Sequence, residues 1–153
     1  AATFNLTAGT QSIYVSKLDV SGNFVWAKKM GGTLADLGKS IALDPAGNVL
    51  TTGYFYGDVD FDPGSGITYL TSVGDWNAFV SKLDANGNFV WAKVLGNAFD
   101  SRGFGVKTDA SGNVFATGYF IGTSDFDPNA GTSNLTSAGL QDIFVAKLDE
   151  NGN

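Results

Sequence analysis

Three carboxylates stand at every second residue, Asp58, Asp60 and Asp62, and lead into Pro63-Gly64. Alternate residues of an extended segment face the same side, so the three side chains could converge on a hard cation such as calcium. A second copy of the motif keeps Asp125 and Asp127 but has Thr123 in place of the first carboxylate. Two or three carboxylates are only part of the about six to eight oxygens that calcium prefers. The competing expectation is architectural: Phe61 and Phe126 enter the sheet while the aspartates face water and blunt an exposed edge. A second candidate is Trp76, an aromatic in a connection whose counterparts in the neighbouring copies are Gln11 and Gln141. A ring that the architecture does not demand suits stacking on a sugar or anchoring a protein partner. Trp26 and Trp91, by contrast, occupy equivalent positions, as do Tyr54-Phe55 and Tyr119-Phe120, and such aromatics are expected to pack the core or the seams between units.

Catalytic constellations are scarce. The chain contains neither His nor Cys, which removes the usual general base, the thiolate nucleophile and many metal ligands. No Gly-x-Ser-x-Gly elbow or phosphate-binding Gly-x-x-x-x-Gly-Lys loop is present. A two-carboxylate glycosidase using Asp60 and Asp62 needs a defined carboxyl separation that spacing alone does not supply. The expectation is a non-enzyme with no cofactor, calcium excepted. A net charge of −6 with nine scattered basic residues argues against nucleic acid and anionic membrane surfaces, both of which need clustered Lys and Arg. No apolar run reaches the about 20 residues of a membrane helix, so no membrane insertion is expected.

The elements that must position these residues are legible from a repeat. VSKLDVSGNFVWAK, beginning at residue 15, returns as VSKLDANGNFVWAK beginning at residue 80, a period of 65 residues. At the same shift LDPAGNVLTTGYF becomes TDASGNVFATGYF, and a third start, VAKLDENGN, occupies 145–153. Asp-x-x-Gly-Asn recurs at Asp19, Asp44, Asp84, Asp109 and Asp149. Asp suits the first position of a type I turn and Gly supplies the left-handed residue of a bulged hairpin, so these are read as hairpin turns. The runs between them alternate, with Phe79, Ser81 and Leu83 on one face against Val80 and Lys82 on the other. Strands are expected at about 39–43, 48–55, 78–83 and 88–95. A long connection over 56–77 should add short strands near 59–61 and 67–71.

Four antiparallel strands per unit, with tight hairpins and glycine-rich links, is the pattern of a propeller blade. The strings FVSKLDANGNFVWAKVLG and SIALDPAGNVLTTGYF resemble the bacterial seven-bladed β-propeller repeat family over nearly the whole chain, apart from the DFDP-containing connection. The resemblance implies an all-β fold of antiparallel four-stranded blades in tandem. It also implies an extracellular or bacterial cell-surface location and a structural, adhesive or interaction role. A little over two repeats cannot close a ring of about four to eight blades. The units are therefore expected as a partial blade over 1–38, a complete blade over 39–103 and a partial blade over 104–153. Such an open arc is read as a fragment or an assembling unit of a larger repeat protein. The expected partner is a protein or glycan at the cell surface, with a lectin-like domain, and self-association into a fibre through unpaired blade edges, as alternatives.

Overall fold

The computed structural model describes residues 5–7, 10–97 and 99–153, and every regular element among them is a β-strand. In chain order these are β1 (Ile13–Leu18), β2 (Phe24–Gly32), β3 (Asp36–Leu43), β4 (Val49–Phe55), β5 (Asp58–Asp60), β6 (Tyr69–Thr71) and β7 (Asn77–Leu83). They continue with β8 (Phe89–Leu95), β9 (Asp100–Thr108), β10 (Val114–Ile121), β11 (Thr123–Asp125), β12 (Asn134–Thr136) and β13 (Asp142–Leu148). The central blade is an antiparallel sheet in the order β3-β4-β7-β8. Before it lies β1-β2-β5-β6 and after it β9-β10-β13, with β11-β12 as a separate pair. The fold class is therefore the expected one: all-β, in antiparallel blades set in tandem.

The hairpins β1-β2, β3-β4, β7-β8 and β9-β10 are each closed by an Asp-x-x-Gly-Asn turn. In the turn at Asp84 the carboxylate Oδ1 accepts the N–H groups of Asn86 and Asn88, both at 2.8 Å, and Oδ2 accepts the Asn88 side-chain amide at 2.9 Å. Gly87 takes φ +80°, the left-handed residue the turn requires. The same arrangement recurs at Asp19, Asp44, Asp109 and Asp149. Asp44 also pairs with Lys82 at 2.9 Å.

Stacking buries the inner strands of the central blade on both faces: every residue of β4 and β7 is buried. One cluster joins Ile13, Val15 and Met30 of the first sheet to Phe55, Phe79 and Leu83 of the second. The other joins Leu50, Val80, Trp91 and Leu95 to Val106, Val114, Phe120 and Phe144 of the third. Phe79 and Val80 thus serve opposite seams, as strand alternation requires.

The connection over 56–77 carries the two short strands β5 and β6. Its hairpin β5-β6 does not extend the blade that carries it; β5 pairs with β2, Gly31 opposite Asp60 and Gly32 opposite Val59. The absence of a side chain permits this, because a Cβ at Gly32 would collide with the carbonyl of Asp58. Each connection therefore clasps the preceding blade: Gly96 at the end of β8 likewise donates to the carbonyl of Asp125 at 3.0 Å.

Candidate functional site

The aspartates of the connection are held by their own loop. Asp58 Oδ1 accepts the Thr71 hydroxyl at 2.6 Å, Asp60 Oδ1 accepts the N–H groups of Asp62 and Thr68, and Asp62 Oδ1 accepts that of Gly64. The second copy repeats this, with Asp125 Oδ1 accepting from Asp127 and Ser133 and Asp127 Oδ1 from Asn129. Hydrogen bonds from Ser133 and Asp127 hold the Asp125 carboxyl below the ordinary range. Phe61 is fully buried, its ring 4.8 Å from that of Phe79, and Phe126 lies 4.9 Å from Phe144. Among the described residues, no group of three or more acidic side chains is placed to hold a metal ion.

Trp76 lies elsewhere, at the seam between the second and third blades. Backbone bonding fixes its place: Ser101 N–H donates to the Trp76 carbonyl at 2.8 Å, and Ser101 Oγ accepts the N–H of Ala78 at 3.0 Å. The next residue of β9, Arg102, is thereby delivered to the rings. Its guanidinium lies 4.9 Å from the centroid of Tyr54, 5.5 Å from Trp76 and 5.8 Å from Tyr119. Arg102 Nε donates to Asp100 Oδ1 at 2.9 Å, and the Tyr119 hydroxyl donates to Asp100 Oδ2 at 3.2 Å. Burial, then the Asp100 charge, raises the Tyr119 phenol above its ordinary pKa, which keeps it a donor.

More rings complete the group. Trp76 stands edge-on to Tyr54 at 5.1 Å and tilted against Tyr56 at 5.9 Å. Phe104 reaches both Tyr54, at 6.3 Å, and Tyr119, at 5.7 Å. Lys39 Nζ sits 5.2 Å from the Tyr54 centroid. Sequence reasoning found Trp76 here but missed Arg102, Phe104, Tyr56 and Asp100. The signal that singled out Trp76 was available for all of them, since the copies carry Leu37, Lys39, Ile121 and Ala35 at those places.

The copies also differ at Asp36, the counterpart of Ser101. Only 2% of Asp36 is exposed; its Oδ2 accepts the Gly32 N–H at 2.7 Å, while its Oδ1 and the nearby buried Ser12 Oγ have no partner. Burial pushes the Asp36 carboxyl up to about 6, against the opposing pull of the Gly32 N–H and of Lys29.

Fold and seam together define a chain of tandem propeller-type blades, clasped by their connections and differing where two blades meet. The chain is similar to an uncharacterized WD repeat-containing protein of Acanthamoeba polyphaga mimivirus, 29% identical over 170 residues. That alignment takes in 94% of this chain and 12% of the viral protein's length. No family model matches the chain.

Proposed function

We propose that the chain is a non-enzymatic protein-interaction module of propeller-type repeats, belonging to a larger repeat assembly at a bacterial cell surface or outside the cell. One observation carries this reading: Trp76, Arg102, Phe104, Tyr56 and Asp100, all of which differ between copies, converge on a partly exposed seam. The acidic groups with chemical potential are instead engaged in turns. Similarity to a WD repeat-containing protein supports the propeller part of the reading, and the repeat resemblance supports the bacterial, seven-bladed and surface parts. Selection of a displayed random-peptide library on the purified chain, beside a glycan array, tests it. The expected result is a family of peptides sharing a motif and no glycan signal. Saturable glycan binding lost on Trp76→Ala, with no peptide enriched, would replace the module by the lectin-like alternative. Protease shaving of intact cells carrying the gene tests the location, and protection of the chain would count against it.

Head-to-tail self-association is a second reading, favoured by the two outer faces. Ile143 and Val145 of β13 are exposed where their counterparts Ala78 and Val80 are buried, and Tyr14 and Leu18 are exposed where Phe79 and Leu83 are buried. Whatever adjoins these faces, a further blade of the same chain or a second copy, meets two different apolar half-seams, as a heterologous contact needs.

A further inference from the structure

We propose that the seam around Arg102 binds a single carboxylate carried by a peptide segment of a protein partner, beside an apolar or aromatic side chain of that segment. This rests on the interaction-module reading and adds to it a place and a ligand chemistry.

The residues that build the seam are not required by the fold. Gln11 and Gln141 serve where Trp76 stands, Leu37 where Arg102 stands and Ala35 where Asp100 stands. Nevertheless these side chains, contributed by β9 and by the approach to β7, meet in one cluster.

Arg102 is held as a binding group would be. Three ring centroids lie within 5.8 Å of its guanidinium carbon and Asp100 occupies Nε, whereas among the described residues neither terminal nitrogen makes a hydrogen bond. Its side chain keeps 28% exposure, so part of it remains open to a ligand. Two parallel N–H groups match the two oxygens of a carboxylate, and a fork immobilised in advance loses little freedom on binding. Charge sets the valence of the ligand. Among the side chains that touch these rings, Arg102 and Lys39 against Asp100 leave one positive charge, on a chain whose net charge is −6. One carboxylate balances it, while a phosphate dianion would leave excess negative charge beside Asp100. Phe104 and Tyr56, 46% and 40% exposed, supply the apolar rim for the neighbouring side chain of the segment.

The test uses the whole chain, 15N-labelled, and blocked tetrapeptides: acetyl-Gly-Glu-Phe-Gly-amide and its counterparts with Gln or Lys replacing Glu. The Glu peptide should shift the Trp76 indole N–H and the Arg102 Nε–H saturably, with a Kd on the order of 1 mM, and leave the indoles of Trp26 and Trp91 unmoved. The Gln peptide should bind roughly ten-fold more weakly and the Lys peptide should leave the seam signals in place. Arg102→Leu, which places here the side chain found at Leu37, should keep the fold and abolish the shifts. Arg102→Lys keeps the charge without the fork and should weaken binding roughly ten-fold. Equal responses to the Glu and Gln peptides, or a response that survives Arg102→Leu, would overturn the proposal. Peptide-induced shifts confined to another surface would sink the seam and leave the module reading standing. Silence toward every peptide together with glycan binding would remove both.

Discussion

Asp36 and Ser101 occupy one position of the repeat and meet its demands differently. Ser101 Oγ accepts from Ala78 N–H and donates toward the Leu95 carbonyl, so both of its roles are filled. Asp36 presents a buried carboxylate with one oxygen unpartnered, and burial raises its pKa from 3.8 to about 6. The folded chain therefore holds a proton there that the unfolded chain has released, and this contribution is full below about pH 4 and lost as the pH rises to about 6. Its size is on the order of 1–3 kcal/mol. The turn carboxylates act in the opposite sense. Hydrogen bonds from Asn88 hold Asp84 below the ordinary range, and those from Asn153 do the same for Asp149, so their contribution fades as the pH falls below about 4. Thermal melts from pH 3 to pH 8 should peak near pH 4–5 and decline toward neutrality. In Asp36→Ser that decline should disappear and the melting temperature at pH 7 should rise. The special character of Asp36 is not legible in its residue type, because it comes from burial against Gly31, Gly32 and Ser12.

At the scale of elements, the blades are registered by a repeated latch. Trp26 Nε1 and Lys17 Nζ both donate to the carbonyl of Ala85 in the next blade's turn, at 3.3 and 2.9 Å, and Trp91 and Lys82 do the same to Glu150, each at 3.1 Å. The turn glycine thus has a second duty. A Cβ at Gly87 would meet Lys28 and Trp26, whereas one at Gly22, with the same φ of +80°, meets nothing within 4 Å. Gly22→Ala should cost about 1 kcal/mol, the backbone penalty alone. Gly87→Ala should exceed it by at least about 1 kcal/mol, read as a lower urea midpoint. Equal costs would dissolve the latch. The strands of the central blade were readable within a few residues, because strict alternation and the Asp-x-x-Gly-Asn turns are local signals. The destination of hairpin β5-β6 was not, since pairing Asp60 with Gly31 depends on chain geometry that no local pattern records. The seam was half readable: Arg102 differs from its counterpart Leu37 just as Trp76 differs from Gln11, but inside a strand that difference carried no chemistry until Tyr54 and Tyr119 closed on it.

For the whole molecule, two measurements address what the arc does with ions and with copies of itself. With Asp58, Asp60 and Asp62 engaged by hydrogen-bond donors of their own loop, exchanging EDTA for millimolar calcium should leave the melting temperature unchanged. A rise would reopen the run as a metal site. Light scattering should show a mass that grows with concentration if the half-seams at Tyr14 and Val145 join, and Val145→Lys should return it to the monomer. Repetition builds the framework, and in the proposed reading departures from repetition carry the function. The double variant Trp76→Gln, Arg102→Leu tests it most directly, with stability and binding of the selected peptides measured on one preparation. If that reading holds, the melting temperature stays within about 5 °C of the parent chain and peptide binding is lost. A variant that binds the peptides as well as the parent chain would contradict it.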